Sequence, residues 1–231
     1  MGAHNRYPVT DMLLHLDNIH WQRSDEESPL FPALQWSMQE GERWAIVGKE
    51  GSGKSTLLRI MAGLLRPQRG ALWYRGAPVS PEEIVPGLGV LFADAAQRFL
   101  TATVWEEVAL TPAHQGVTGE ALHQRVRHAV QQAGVPERFL PWDLARLSSA
   151  QAYRVALAAV LVTQPVLLLL DEPGALLDEA GEEALAHQLQ GFSSVTFTSR
   201  LSRARRFAHH LAWLEEGQLR IEGVSCGEPQ V

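Results

Sequence analysis

The sequence holds a single cysteine, Cys226, among 231 residues, so no internal disulfide can form and the chain reads as a protein of a reducing compartment. Long apolar runs are missing as well. The longest, Val155 to Val162 and Val166 to Leu170, fall far short of the ~20 residues that cross a bilayer as a helix, so any membrane role is expected to be peripheral. Met1 to Asp11 has no apolar h-region, and no signal peptide is expected there. Positive charge is not in excess: 20 Lys and Arg against 26 Asp and Glu leave a formal charge of −6 and a pI near 5.8. No global basic field exists to hold nucleic acid, which is not expected as a partner. The nine histidines lack cysteines or acids at metal-ligand spacing, so a metal site other than one for Mg²⁺ is not expected. What is present is 45% hydrophobic residues, enough to bury a full core in one domain with an insertion.

Against that background stands Gly48-Lys49-Glu50-Gly51-Ser52-Gly53-Lys54-Ser55-Thr56, which fits G-x-x-x-x-G-K-[ST], the loop that cradles nucleotide phosphates. Glycines let the backbone curl so that consecutive N–H groups point at a phosphate, and a helix N-terminus adds its positive end. Lys54 supplies a mobile cation. The Ser55 hydroxyl is placed to complete the shell of a Mg²⁺ ion, which takes few protein ligands and keeps several waters. Arg43 to Val47 reads as a buried strand entering the loop, and Leu57 to Ala62 as the helix leaving it. The expected ligands are ATP or GTP with Mg²⁺.

Strands are expected at Leu13 to Trp21 and Ala33 to Met38, joined by a polar hairpin loop from Arg23 to Pro32. A turn from Leu65 to Gly70 precedes a short strand from Ala71 to Arg75. Together these suggest a small antiparallel layer on the core. Leu88 to Phe92 reads as a further strand. From Ala93 to Val162 the pattern is helical, with Glu120 to Ala133 and Ala150 to Val162 the clearest segments, and reads as an insertion. Val166 to Leu170 is an unbroken apolar run of strand length, expected where helices cover both faces of a parallel strand. It ends in Asp171-Glu172, acids at the carboxyl end of a strand, where α/β sheets place their ligands. Asp171 is suited to hold Mg²⁺ through water and Glu172 to take a proton from an attacking water. Ser194 to Thr198 reads as the last core strand, with a closing hairpin at Leu211 to Leu214 and Gln218 to Ile221. Arg200, Arg203, Arg205 and Arg206 form the one dense basic cluster, read first as a solvated helix face. The sharper alternative places Arg200 on a γ-phosphate.

The order of phosphate loop, helical insertion, Leu147-Ser148-Ser149-Ala150-Gln151, then LLLLDEP and Leu177-Asp178 resembles the ATP-binding subunit of an ABC transporter over nearly the whole chain. Thr103 to Ala109 and Arg154 to Ala158 resemble segments of its energy-coupling-factor and cobalt-importer branch. The resemblance implies an α/β fold with a P-loop NTPase (RecA-like) core, a small antiparallel β layer and an inserted helical subdomain. Residues 1–92 and 163–231 would form the core and layer, and 93–162 the insertion. It also implies a cytoplasmic ATPase, peripheral to the membrane, working with transmembrane subunits and a second ATP-binding subunit in a homo- or heterodimer. Each ATP would lie between the phosphate loop of one subunit and Ser148, Ser149, Ala150 and Gln151 of the other.

The departures from the family pattern are informative. Ala93 stands where the family has a glutamine that touches Mg²⁺ and the reactive water. Ser199 stands where it has a histidine on the γ-phosphate. Loss of one preorganised electrostatic donor typically costs roughly 10²- to 10³-fold in rate. Ser149 and Ala150 replace two signature glycines, adding Cβ atoms that crowd a phosphate. The adenine-stacking aromatic aligns with Arg23, while Trp21 lies two residues earlier, expected on the same strand face. Either side chain can stack on a base. The binding groups are thus kept and the sensing groups lost. This leaves a slow ATPase subunit, a degenerate regulatory partner in a heterodimer, and a soluble ABC-type protein outside transport as the readings in play.

Overall fold

The computed structural model describes residues 12–25, 27–80 and 85–222; Cys226 and Met1 to Asp11 lie outside them. Two sheets organise the chain. The smaller is antiparallel, in the order β2 (Phe31–Met38), β1 (Leu14–Trp21), β4 (Arg69–Tyr74) and β5 (Ala77–Pro78). The larger runs β10 (Gln218–Ile221), β9 (His210–Glu215), β3 (Arg43–Val47), β8 (Ser193–Thr198), β7 (Leu167–Asp171) and β6 (Leu88–Leu91). All its pairings are parallel except β10 on β9.

Alternation along β7 explains why its run of leucines is unbroken. Leu167 and Leu169 join the core shared with the antiparallel layer and α1 (Lys54–Met61). Leu168 and Leu170 point the other way, into the core shared with α4 (Ser149–Leu161). Period-2 geometry puts adjacent residues on opposite faces. Each face is covered here, so each position must be apolar. Between β6 and β7 the chain forms α2 (Val104–His114), α3 (Gly119–Gln132) and α4. Thr103 and Glu106 close a capping box at the start of α2, satisfying two backbone donors that the helix leaves orphaned. No helix among the described residues is long and apolar enough to cross a membrane.

Several boundaries differ from the sequence reading for local reasons. β2 begins at Phe31 and takes in Pro32, which an edge strand tolerates because its missing N–H is not required for a second partner. β4 begins at Arg69, inside the expected turn. Gly70, at φ 89°, lies against β1: a Cβ there would come within 2.5 Å of the Asp17 carbonyl oxygen, next to the register shift between Asp17 and His20. A glycine expected to mark a turn instead marks a close backbone approach. β1 ends at Trp21, so Arg23 lies in the following loop and shares no strand face with it. Two further helices, α5 (Glu179–Gln188) and α6 (Leu201–Phe207), flank β8 in sequence.

Candidate active site at three strand ends

The strand order sets β3, β8 and β7 side by side and parallel, so their carboxyl ends open at one edge of the sheet. The phosphate loop leaves β3, Ser199 follows β8, and Asp171-Glu172 ends β7. Residues 48–56, 171–172 and 199 are far apart in sequence and are neighbours only because of this topology. Ala93 follows β6, the next strand over, and is exposed.

Gly51 at φ 79° and Gly53 at φ 98° give the loop its curl. At Gly53 the requirement is double, because a Cβ would also come within 3.0 Å of the Leu30 and Phe31 side chains. At Gly48 a Cβ would come within 2.5 Å of the Ser52 hydroxyl oxygen. Lys54, the first residue of α1, is buried and donates to the Gly48 carbonyl at 2.7 Å and the Lys49 carbonyl at 2.9 Å. An ammonium has three protons, so the pair of carbonyls fixes it over the loop with one donor to spare. The buried Ser52 hydroxyl has no hydrogen-bond partner, and a buried polar atom of this kind asks for one. Glu50, Gly51 and Ser55 are exposed at the rim and Thr56 is half-buried. Curled amides, a tethered cation and an orphaned hydroxyl fit a phosphate chain.

The two acids at the end of β7 sit in opposite electrostatic settings. Burial and the neighbouring Glu172 charge raise the Asp171 carboxyl above its usual range, against the opposing pull of Lys54 and Arg59. Asp94, from the loop after β6, pushes in the same upward direction. Burial also pushes Glu172 up, but hydrogen bonds from Thr198, Ser199 and Arg203 outweigh it and hold the carboxyl below its usual range. Its Oε1 accepts the Ser199 backbone N–H at 2.7 Å. Its Oε2 accepts the Thr198 hydroxyl at 2.8 Å and an Arg203 Nη1–H at 2.7 Å. The backbone at Glu172 is left-handed, φ 46°, a conformation costing a non-glycine residue about 1–2 kcal/mol. The Glu172 N–H to Phe197 carbonyl bond, 2.8 Å, helps hold it there.

Arg203 corrects the sequence reading of the basic cluster. It is 4% exposed, not solvated, and its guanidinium spans from Glu172 to Glu182 on α5. Arg206 adds a second bridge from α6, to Glu182 and Glu179. Arg200 and Arg205 are exposed. Nothing in the sequence identifies Glu182 as a partner; the only available signal is that Arg203 precedes the apolar Ala204 on a short helix.

Ser148, Ser149, Ala150 and Gln151 lie at the N-terminus of α4, distant in sequence from the loop, and the first two are exposed. Ser148 caps the helix: its hydroxyl accepts the Gln151 N–H at 3.3 Å and the Gln151 side chain accepts the Ser148 N–H at 2.9 Å. A capping box explains Ser and Gln at this spacing without a ligand. The first-turn amides of Ser149 and Ala150 have no partner within the helix. Trp21, at the end of β1 opposite Phe31, and Arg23, 4.0 Å from Asp25, sit on either side of the strand-loop junction. Among the described residues no cluster of three or more His, Cys, Asp or Glu side chains could hold a metal.

The comparisons with known proteins agree on one family. The family model described as "ABC transporter" matches residues 31–175. An "Energy-coupling factor transporter ATP-binding protein EcfA2" of Methanospirillum hungatei is 32% identical over 213 residues, covering 88% of this chain and 52% of that protein. The chain thus spans about half the length of this relative. Among solved structures, cbiO1 from Clostridium perfringens, described as part of the ABC transporter complex cbiONQ, superposes with TM-score 0.81 at 25% identity, covering 91% of this chain and 87% of that one. A dimeric post-hydrolysis state of the ATP-binding cassette MJ0796 bound to ADP and Pi also gives 0.81, at 26% identity with 90% and 97% covered.

Proposed function

The chain belongs to the ABC transporter family, and from that premise we propose that it is the ATP-binding subunit of a membrane transporter, hydrolysing MgATP at a dimer interface on the cytoplasmic face. One observation carries the reading: the tethered Lys54 loop and the Asp171-Glu172 pair open on the same edge of the sheet, with Ser199 between them. The loop amides and Lys54 bind and orient the phosphates. Ser55, and Asp171 through water, would hold Mg²⁺ with hard oxygens, and the ion would supply charge neutralisation for phosphoryl transfer. Glu172, ionised and backed by fixed donors, orients the attacking water and takes its proton. Residues 148–151 close the site of a partner subunit from the other side, and Trp21 or Arg23 stacks on adenine. We read residues 93–162 as the subdomain that docks the transmembrane subunits.

A second reading is favoured by Ala93 and Ser199: a subunit that binds nucleotide and regulates a more active partner in a heterodimer. ATPase assays on the purified chain, alone and with its partner subunits, separate the two. Turnover by the isolated chain that Glu172→Gln abolishes while ATP binding persists supports the first. Turnover that appears only with the partner and is indifferent to Glu172→Gln supports the second.

A further inference from the structure

The Glu172 carboxylate is unusually occupied for a group that must accept a proton. Oε2 already receives two hydrogen bonds, from Thr198 and Arg203, and Oε1 receives one from Ser199. A carboxylate oxygen offers about two lone-pair sites, so Oε2 is filled, and the Ser199 hydroxyl is a further hydrogen-bond partner of the same carboxylate. The Arg203 contact is of a different kind from the others. It is charge-assisted, it comes from a group that never deprotonates in proteins, and with the Thr198 hydroxyl it fills the acceptor positions of Oε2, the oxygen a water would otherwise reach.

The guanidinium is also anchored on its far side. Its Nε and Nη2 donate to Glu182 Oε1 at 3.1 and 2.6 Å. Glu182 in turn accepts from Arg206 at 2.9 Å and lies against Gly174, where a Cβ would approach its Cγ to 2.8 Å. With Arg203 4% exposed and Glu182 12%, neither side chain has solvent to swing into. The network ties β7, α5 and α6 together across the base.

We propose that Arg203 is a positioning residue for hydrolysis: anchored on Glu182, it grips the Glu172 carboxylate and keeps turnover by this chain slow. The inference rests on Glu172 being the general base. That premise is tested separately by Glu172→Gln, whose failure to reduce turnover would count against the proposed function itself.

The test is steady-state ATPase kinetics on the full chain with its partner subunits, comparing Arg203→Met and Arg203→Lys. Arg206 still pairs with Glu182 when Arg203 is gone, so the methionine variant does not strand that carboxylate. Arg203→Met is expected to raise kcat roughly 3- to 10-fold, a small part of the ~10²–10⁴ that a positioned base contributes, with KM for ATP unchanged. Arg203→Lys, which keeps a cation within reach of one carboxylate, is expected to bring kcat back toward the wild-type value. A merely structural residue would not give a rise in kcat at constant KM that lysine reverses. An unchanged or lower kcat in a folded Arg203→Met protein, including no turnover in both proteins, overturns the proposal. If Arg203→Met does not fold, Glu182→Gln decides. It preserves the shape but leaves the guanidinium charge to Glu172, so kcat should fall at constant KM, and a rise or no change rejects the grip.

Discussion

The ends of β3 and β7 hold their charged side chains by different means. Lys54 is tethered by two neutral carbonyls of its own loop, at 2.7 and 2.9 Å, and has one proton uncommitted. Phosphate oxygens compete well for such a cation, because an anionic oxygen adds a charge–charge attraction that a neutral carbonyl does not supply. Glu172 is held by a buried cation that is itself anchored by a second carboxylate. The first arrangement is poised to exchange partners with a ligand; the second resists it. On the proposed reading, a residue can thus stand at the right strand end while its local partners decide how available it is.

The largest effect expected from breaking this comparison is at the base. Glu172→Gln should lower turnover by roughly 10²- to 10⁴-fold while leaving ATP affinity near wild type, as read by single-turnover kinetics and nucleotide titration. Lys54→Ala should do the reverse: ATP affinity falls about 10- to 100-fold, the scale of a lost charged hydrogen bond of about 1.5–3 kcal/mol, measured by calorimetry. A variant that loses turnover with unchanged affinity at Lys54 contradicts the division of labour. Ser199→His sharpens the comparison by restoring a missing donor beside Glu172. Turnover should rise, up to about 10-fold, with the backbone N–H at this position still on Glu172 Oε1; no gain means that Ser199 is not what limits the site. The smallest effect belongs to α4. Ser148→Ala removes the cap and should cost about 1 kcal/mol in denaturant unfolding, with ATP binding to the phosphate loop of the same chain unaffected.

Much of the site was legible because its signals are local. The phosphate loop depends on glycines and a lysine at fixed spacing, and the β7 acids follow an apolar run whose length alone marks a buried strand. The fold was legible to similar depth: the strands β1 to β4, the parallel core and the helices α3 and α4 correspond to segments read from the sequence, whereas the sequence does not single out α2 and β5 as elements. What escaped were features that depend on distant partners. Gly70 resembles a turn glycine until the Asp17 carbonyl is found against it. Arg23 and Trp21 share a face only if the strand continues, and it ends at Trp21. Arg203 reads as one of four surface arginines, since its burial and its partners Glu172 and Glu182 are set by tertiary contacts.

The sequence by itself determined that this chain carries the glycine-lysine pattern of a phosphate loop and an acid pair at the end of an apolar run, because those properties reside in residue type and short-range spacing; that Ala93 and Ser199 stand in for sensing groups is what the resemblance to the family implies. Only the tertiary structure decided how the charges are shared: that Lys54 faces exchangeable carbonyls, and that Glu172 shares a buried arginine with Glu182. Hydrogen bonds and ion pairs act over a few ångströms, and which groups come that close is settled by strand order and helix packing.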